Sequence, residues 1–479
     1  MSRPFYLCVL AGALLSACAG GPPPRIDDKL AIDVPDNWSA SNEMQNTVRL
    51  TRPLGVDWWR EFGDKQLDDL IATGLANNHN LRASLARLQA ASAAHKIAGA
   101  PLLPEVDLNL QNDRARRLFL GFPFGGGGVP SSTVTTYGLS LGVRWELDVW
   151  GRLSAGDSAA LADQQAAAED LQAAQLSLAA QISRAWFAAI EAEQQLALAT
   201  ATESAFRKTL TDVRDRFRRG VRPALEVHQA ATNLANAVAS AAQRRDLHAQ
   251  AMRRLDVLVG SYPDGKRPVA AALPQKLPYV LPGYPSELLQ RRPDLRSAER
   301  RVAAAGCRVD AAVAALYPRL SLTASGGTQS LDLDDLVDTD FRVWALGANL
   351  FEPLFRGGAL RADVERQQAR RTEALANYGG AVLSAFAEVE NILGSRSQLE
   401  NQRVGLIDAA KHAGHARDLA RERWQLGLTD FLTVADGQRR AFQAESARLS
   451  IDRQLIDNRI DLLLALGGSF ANTSTEEPQ

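Results

Sequence analysis

Cysteine is almost missing from this 479-residue chain: Cys8, Cys18 and Cys307 are the whole supply. The first two fall in an N-terminal segment read below as removed or modified. Cys307 then has no partner for an intrachain disulfide, and stability must come from packing. An excess of either charge is missing too. The formal net charge is −1 and no tail of like charge occurs, which argues against nucleic acid as a partner. No run of about 18 apolar residues exists, so no transmembrane helix is expected. Of six histidines only His412 and His415 share a helical face, better read as a solvated face than as a metal site. Catalytic signatures such as G-x-S-x-G or H-E-x-x-H are absent, and "GGGG" at 125–128 has no helix after it to hold a phosphate. Neither an enzyme nor a bound cofactor or metal is expected.

What is present begins at the N-terminus. Arg3 precedes an apolar run from Phe5 to Leu15, and "LSAC" follows at 15–18. This reads as a signal peptide over 1–17. It resembles the bacterial lipobox, which makes Cys18 the expected attachment point for acyl chains, a covalent lipid in place of any cofactor. Ala19 follows instead of the aspartate that commonly retains lipoproteins at the inner membrane, so the resemblance implies the outer membrane. "GGPPP" at 20–24 opens a lipidated tether over 18–57.

The rest of the chain is written twice. "RRPDLRSAERRVAAA" (291–305) echoes "NNHNLRASLARLQAA" (77–91), and "LYPRLSL" (316–322) echoes "LLPEVDL" (102–108). "RWQLGLTDFLTV" (423–434) matches "RFRRGVRPALEV" (216–227), pairing Gly220 with Gly427, Leu225 with Leu432 and Val227 with Val434. A duplication of this length is far longer than a solenoid repeat. The domain reading is a first repeat over 58–260, a proline-rich connector over 261–285, a second repeat over 286–467 and a C-terminal tail over 468–479.

Each repeat has one order of elements: a helix, a strand, a loop, a second strand, a very long helix and a shorter helix running back. The long helices are placed at 152–219 and 357–425, the shorter ones at 224–259 and 430–466. A 68-residue helix spans roughly 100 Å and needs coiled-coil partners. An a/d-like series from Leu171 to Phe206 supplies apolar or small residues at nine of eleven positions. The shorter helices, with 79–101 and 294–315 stacked on their ends, would together shadow the long ones. The expected result is a tall tube of antiparallel helices with strands at one end. "WWREFGDKQLDDLIATGLANN" (58–78) reads as one amphipathic helix beside it.

The strands form two hairpins, 104–149 and 318–351. In "YGLSLGVRWELDV" (137–149) apolar and polar residues alternate strictly. One face carries Leu139, Leu141, Val143, Trp145 and Leu147, the expected lipid face of a membrane β-barrel. Four strands cannot close a barrel without leaving unpaired backbone groups in lipid, whereas three copies supply twelve. The competing reading is a small soluble sheet capping a helical bundle.

With "WWREFGD", "WELDVWGR", "RRPDLRSAERRVAAA", "YPRLSLTAS" and the twin "RRGVRPALEV" and "LGLTDFLTVADGQRR" turns, the chain resembles the outer membrane factor family of TolC-like and OprM-like channels, in its lipoprotein branch. The fold so implied is mainly α with a transmembrane β-barrel: a homotrimer with a twelve-stranded barrel and a long α-helical coiled-coil tunnel in the periplasm. The implied function is export in a tripartite efflux system, with a periplasmic adaptor and an inner membrane pump as partners. A protein-secretion conduit and a lipid-anchored scaffold without a pore are the alternatives. The resemblance also implies that the helical tips at Gly220, Gly427, Leu225 and Leu432 face the adaptor. Some family members close the periplasmic mouth with two acids three residues apart. Asp436 matches one, Thr433 stands at the other, and Glu226 is the equivalent of Thr433 in the first repeat.

Overall fold

The structure, a computed structural model, describes residues 34–35, 37–39, 57–118, 131–270, 272–274 and 285–468. The expected signal peptide, Cys18, much of the tether and connector, the glycine run at 125–128 and the C-terminal tail past residue 468 lie outside the described residues. The described chain is mostly helical, with one four-stranded antiparallel sheet, and divides into two compact units. Among the described residues, 88–167 and 298–378 make the first unit; the second takes residues up to 87, 168–297 and from 379 onward.

Eight α-helices are described: α1 (Lys65–Asn77), α2 (His79–Gly99), α3 (Arg152–Arg218), α4 (Ala224–Leu258), α5 (Pro285–Arg291), α6 (Pro293–Ala314), α7 (Ala359–Gln425) and α8 (Phe431–Ala465). The four strands are β1 (Glu105–Leu118), β2 (Ser131–Leu147), β3 (Arg319–Ser330) and β4 (Arg342–Phe351). The repeat is visible in the lengths. Both long helices, α3 and α7, have 67 residues, and both returning helices, α4 and α8, have 35.

The first unit holds the sheet, in the order β1-β2-β3-β4. Within the expected hairpin 104–149, β1 runs from Glu105 to Leu118, and β2 begins at Ser131, ahead of the expected 137. Apolar alternation on β1 stops at Leu110, but ladder hydrogen bonds need no apolar side chains. Arg114 therefore still pairs with Thr135, and Arg116 with Thr133. At its other end β2 stops two residues before the expected 149. There both carboxylate oxygens of Asp148 accept N–H bonds from the start of α3, at 2.8 Å from Leu153 and 2.7 Å from Ser154. Capping the helix takes Asp148 and Val149 out of the ladder.

The second unit holds the main apolar core. Residues 58–78 are not one helix: a 3₁₀ turn, Trp58–Phe62, ends at Gly63 with φ 66°, and α1 starts afresh after Asp64. The break suits both halves. Asp64 caps α1 through the Gln66 and Leu67 amides, and its other oxygen accepts a 2.7 Å bond from the buried Trp186 indole. Phe62 then lies 5.0 Å from Phe187, ring centre to ring centre. Trp58, Leu67, Ile71, Trp186 and Phe187 are fully buried here, a joint among α1, α3 and the 3₁₀ turn.

α3 draws partners from both repeats. In the second unit His248 of α4 meets Glu193 at 3.1 Å, and Gln195 donates to the Ser446 carbonyl of α8 at 2.9 Å. Arg296 of α6 pairs with Glu169 at 2.5 Å. In the first unit His95 of α2 meets Asp157 at 3.1 Å, and Ala162 packs on Ala303 and Ala304 of α6. Small residues of α3 are used at Ala162 in the first unit and at the fully buried Ala179 and Ala180 in the second. Ion pairs also join α3 to α8: Arg184 pairs with Asp461, and Arg453, which pairs with Asp457 on its own helix, meets Glu191 at 2.5 Å. Burial pushes the Asp457 carboxyl up to about 6 even beside Arg453, with Asp461 adding to the rise.

Candidate channel wall and helical tips

The first candidate site is the sheet. Its register places Val143 between Val106 and Ala324, Leu141 between Leu108 and Gly326, and Leu139 between Leu110 and Thr328. Trp145 and Leu147 extend the same face against Leu322 and Leu320, which in turn meet Ala348 and Leu350 of β4. Period-two geometry puts all of these side chains on one face of the sheet. The other face carries Asp107 opposite Gly142, Asn109 opposite Ser140, and Ser325 and Thr323 along β3. The five positions expected on the lipid face thus share one apolar face, and the opposite face is polar. From Trp145 to Tyr137 the apolar face runs about 26 Å along β2.

Both edge strands are open. β1 and β4 each have a sheet neighbour on one side only, and nearly every residue of both is exposed. The exposed apolar residues include Leu108, Leu110, Trp344, Leu346 and Leu350. One chain therefore presents a two-faced sheet with two unsatisfied backbone edges, which neither water-soluble packing nor lipid tolerates well.

The second candidate site lies where α3 turns into α4 and α7 into α8. Both turns are Schellman caps around a left-handed glycine. Gly220 (φ 73°) donates to the Phe217 carbonyl at 2.9 Å and Val221 to Arg216 at 2.9 Å. Gly427 (φ 78°) donates to the Trp424 carbonyl at 3.1 Å and Leu428 to Arg423 at 2.8 Å. Leu225 and Leu432, 64 % and 62 % exposed, point away from the packed turns.

The two turns are built from different residues. The second is locked by Trp424, which is 2 % exposed and packs edge-on against Phe431 at 6.1 Å. The Arg216 guanidinium covers the Trp424 ring at 4.2 Å and donates to the Trp424 and Gln425 carbonyls, both at 3.2 Å. One arginine of α3 therefore stacks on an aromatic ring and neutralises the carbonyl end of α7. Its place in "RFRRGVR" gives no sign of that, because the partner lies 208 residues away.

The three positions expected at the periplasmic mouth also differ. Thr433 gives both its amide, at 2.9 Å, and its hydroxyl, at 2.6 Å, to Asp430, which caps α8. Those bonds hold the Asp430 carboxyl below the usual range. Asp436 is accessible and is held by Arg439 and Arg440, each at 2.6 Å, three and four residues onward on the same helix. The two arginines lower its pKa. Glu226 is only 8 % exposed and sits 3.5 Å from Arg222, so it closes the first turn from inside instead of presenting a free charge. Among the described residues no group of three or more histidine, cysteine or acidic side chains could hold a metal ion.

A sequence model of the outer membrane efflux protein family matches residues 70–261 and 284–468, one segment for each repeat. The chain is 32 % identical to the toluene efflux pump outer membrane protein TtgF of Pseudomonas putida, over 89 % of this chain and 88 % of that one. It is 31 % identical to the pyoverdine export outer membrane protein OpmQ of Pseudomonas aeruginosa, over 97 % of each. The open-state MtrE outer membrane channel of Neisseria gonorrhoeae superposes with a TM-score of 0.80 at 28 % identity, covering 95 % of this chain and 99 % of that one. With the match running through both repeats and relatives above 30 % identity along nearly the full length, the chain belongs to the outer membrane efflux protein family.

Proposed function

We propose that three copies of this chain close a twelve-stranded barrel in the outer membrane, and that small molecules leave the cell through it. The observation that carries this reading is the pair of open edges. β1 and β4 need backbone partners in lipid, and a head-to-tail ring of identical chains supplies both at once. The helices have matching needs. α7 leaves Leu383, Val404 and Leu419 exposed, and on the opposite sequence flank α2 and α4 leave Leu85, Ile97 and Val257 exposed. The relatives named for toluene efflux and pyoverdine export favour small organic cargo over folded protein. A periplasmic adaptor, itself coupled to an inner membrane pump, would dock on the tips that carry Gly220, Gly427, Leu225 and Leu432.

At the mouth, Asp436 is the acid able to act across a threefold opening, with Thr433 setting the start of its helix. Planar-bilayer recording of the purified trimer tests channel and mouth together. Stable conductance is expected. Asp436→Ala leaves Arg439 and Arg440 without their carboxylate, so permeability should move toward anions. A protein that inserts without conducting would defeat the channel reading; unchanged ion selectivity in the variant would remove Asp436 alone from the mouth.

Attachment to the membrane through Cys18 belongs to the same proposal. Several acyl chains anchor a protein stably, and the Gly/Pro tether that follows lets the body sit clear of the anchor. Labelled palmitate should enter the wild-type chain and not Cys18→Ser. Equal labelling of both would dismiss the lipid site and leave the barrel untouched.

A further inference from the structure

The two open edges of the sheet carry opposite charge at the same end. On β1, beyond Leu110 where the apolar alternation stops, stand Arg114, Arg116 and Arg117, all exposed. Their only side-chain bond given by the structure is from Arg116 to the Ser131 hydroxyl at 3.0 Å. At the other edge, the connection leading into β4 reads "LDLDDLVDTDF" (331–341), with five aspartates and no basic residue. Asp335 accepts from Ser330 at 2.8 Å and Asp338 caps the Asp340 amide at 3.0 Å, so the segment is held in two short 3₁₀ turns. Among the described residues none of these arginines or aspartates forms an ion pair. That is unusual for this molecule, whose helices are laced with them.

Both charged segments lie at the sheet end remote from the helices, since β1 and β3 enter from α2 and α6 at the opposite end. Within one chain they are separated by β2 and β3. Head-to-tail closure changes that, because β4 of one copy becomes the neighbour of β1 of the next.

We infer that the arginines of β1 dock against the aspartates of the neighbouring copy's 331–341 segment, forming three charge clasps at the outer end of the subunit seams. The inference rests on the trimeric barrel proposed above. The aspartates at the opposite edge, at the same end of the sheet, favour a protein partner over a lipid headgroup. Arg114 and Arg116 share the apolar-face parity and Arg117 projects from the polar face, so the three bracket the strand edge instead of standing on one face alone. Complementary charge at a seam fixes partner and register more than it adds raw affinity. That is the property an edge-to-edge β contact lacks, since a one-residue slip would exchange its two faces.

A charge-swap cycle tests this on the full-length protein, purified in detergent with dissociation of the oligomer followed at fixed temperature. The first variant carries Arg114→Glu, Arg116→Glu and Arg117→Glu; the second carries Asp334→Lys, Asp338→Lys and Asp340→Lys; the third combines both. Each single set should dissociate about tenfold faster than wild type, and about 1 M salt should remove most of that difference. The combined chain, with its charges exchanged, should return to within about threefold of wild type. Neutral versions (Gln and Asn) keep the cycle readable if a reversed set fails to insert. Additive losses in the combined chain overturn the clasp. So does an arginine effect that is indifferent to the aspartate set and follows added diphosphoryl lipid A, which would assign the arginines to lipid phosphate. If wild-type protein proves not to be a trimer by mass, the barrel proposal falls as well; a conducting trimer with an additive cycle rejects the clasp alone.

Discussion

Arginine at Leu141 is expected to cost roughly 2–4 kcal/mol of membrane insertion per copy. Leu141 stands in the middle of the apolar face, in one row with Leu108, Gly326 and Trp344, and its side chain is half exposed in the isolated chain. In the proposed barrel that exposure is to lipid, where a guanidinium would lose its water and find no carboxylate. The comparison that isolates the cause is Gly142→Arg, one residue along. A Cβ at Gly142 meets nothing nearer than the Asp107 carbonyl at 3.9 Å, and its cross-strand partners are Asp107 and Ser325, on the polar face. Ser140 is a poorer control, because Gly327 already approaches its backbone so closely that no Cβ fits there. Folding into lipid vesicles, followed by the resistance of the barrel to heat and detergent, should fail for Leu141→Arg and survive for Gly142→Arg. Equal tolerance of the two would mean that the sheet is not in a membrane and would revive the soluble cap.

The second large effect is expected from Trp424→Ala. A fully buried aromatic truncated to alanine typically costs about 3–5 kcal/mol. Here the loss also strips Arg216 of its ring while leaving it tied to the carbonyl end of α7. Amide hydrogen exchange should accelerate across the second turn and the facing part of α3, from Leu210 to Arg216, with the sheet unchanged. Export should drop because the tip offered to a partner loses its shape. Trp424→Phe, which keeps an aromatic face, should be milder. Exchange and export at wild-type rates in the alanine variant would show that this cluster does not hold the tip.

Much of the architecture is legible in the sequence because it was written twice. Gly220 and Gly427 align at one offset, and each proves to be a left-handed cap, the backbone conformation that glycine takes most cheaply. The long helices end within about two residues of their expected bounds because glycine and proline mark their ends. Where local chemistry competes with pattern, reading is poorer. The periodicity of 58–78 hides the Gly63 break, which exists so that Asp64 can both cap α1 and receive the Trp186 indole. The alternation in 137–149 hides the claim of α3 on Asp148.

At the candidate sites the missing information is of another kind. Arg439 and Arg440 lie three and four residues after Asp436, a spacing that signals ion pairs on a helix. The pairing was there to be read and changes what Asp436 can do. Arg216 and Trp424 are in different repeats, and nothing local connects them. Glu226 and Thr433 are equivalent by sequence, yet one is turned inward on Arg222 and the other is spent on a helix cap. Duplication preserves backbone more faithfully than side-chain duty.

The open edges of the sheet also bear on inheritance. A copy with a sound barrel and a damaged tip, such as Trp424→Ala, still offers β1 and β4 to its neighbours and is admitted to the ring. With equal synthesis of sound and damaged chains and random mixing, only about one trimer in eight is free of a damaged member. A tip mutation should therefore act as a dominant poison in cells that also carry the intact gene. A mutation that prevents the sheet from inserting removes its own product from assembly and should be recessive.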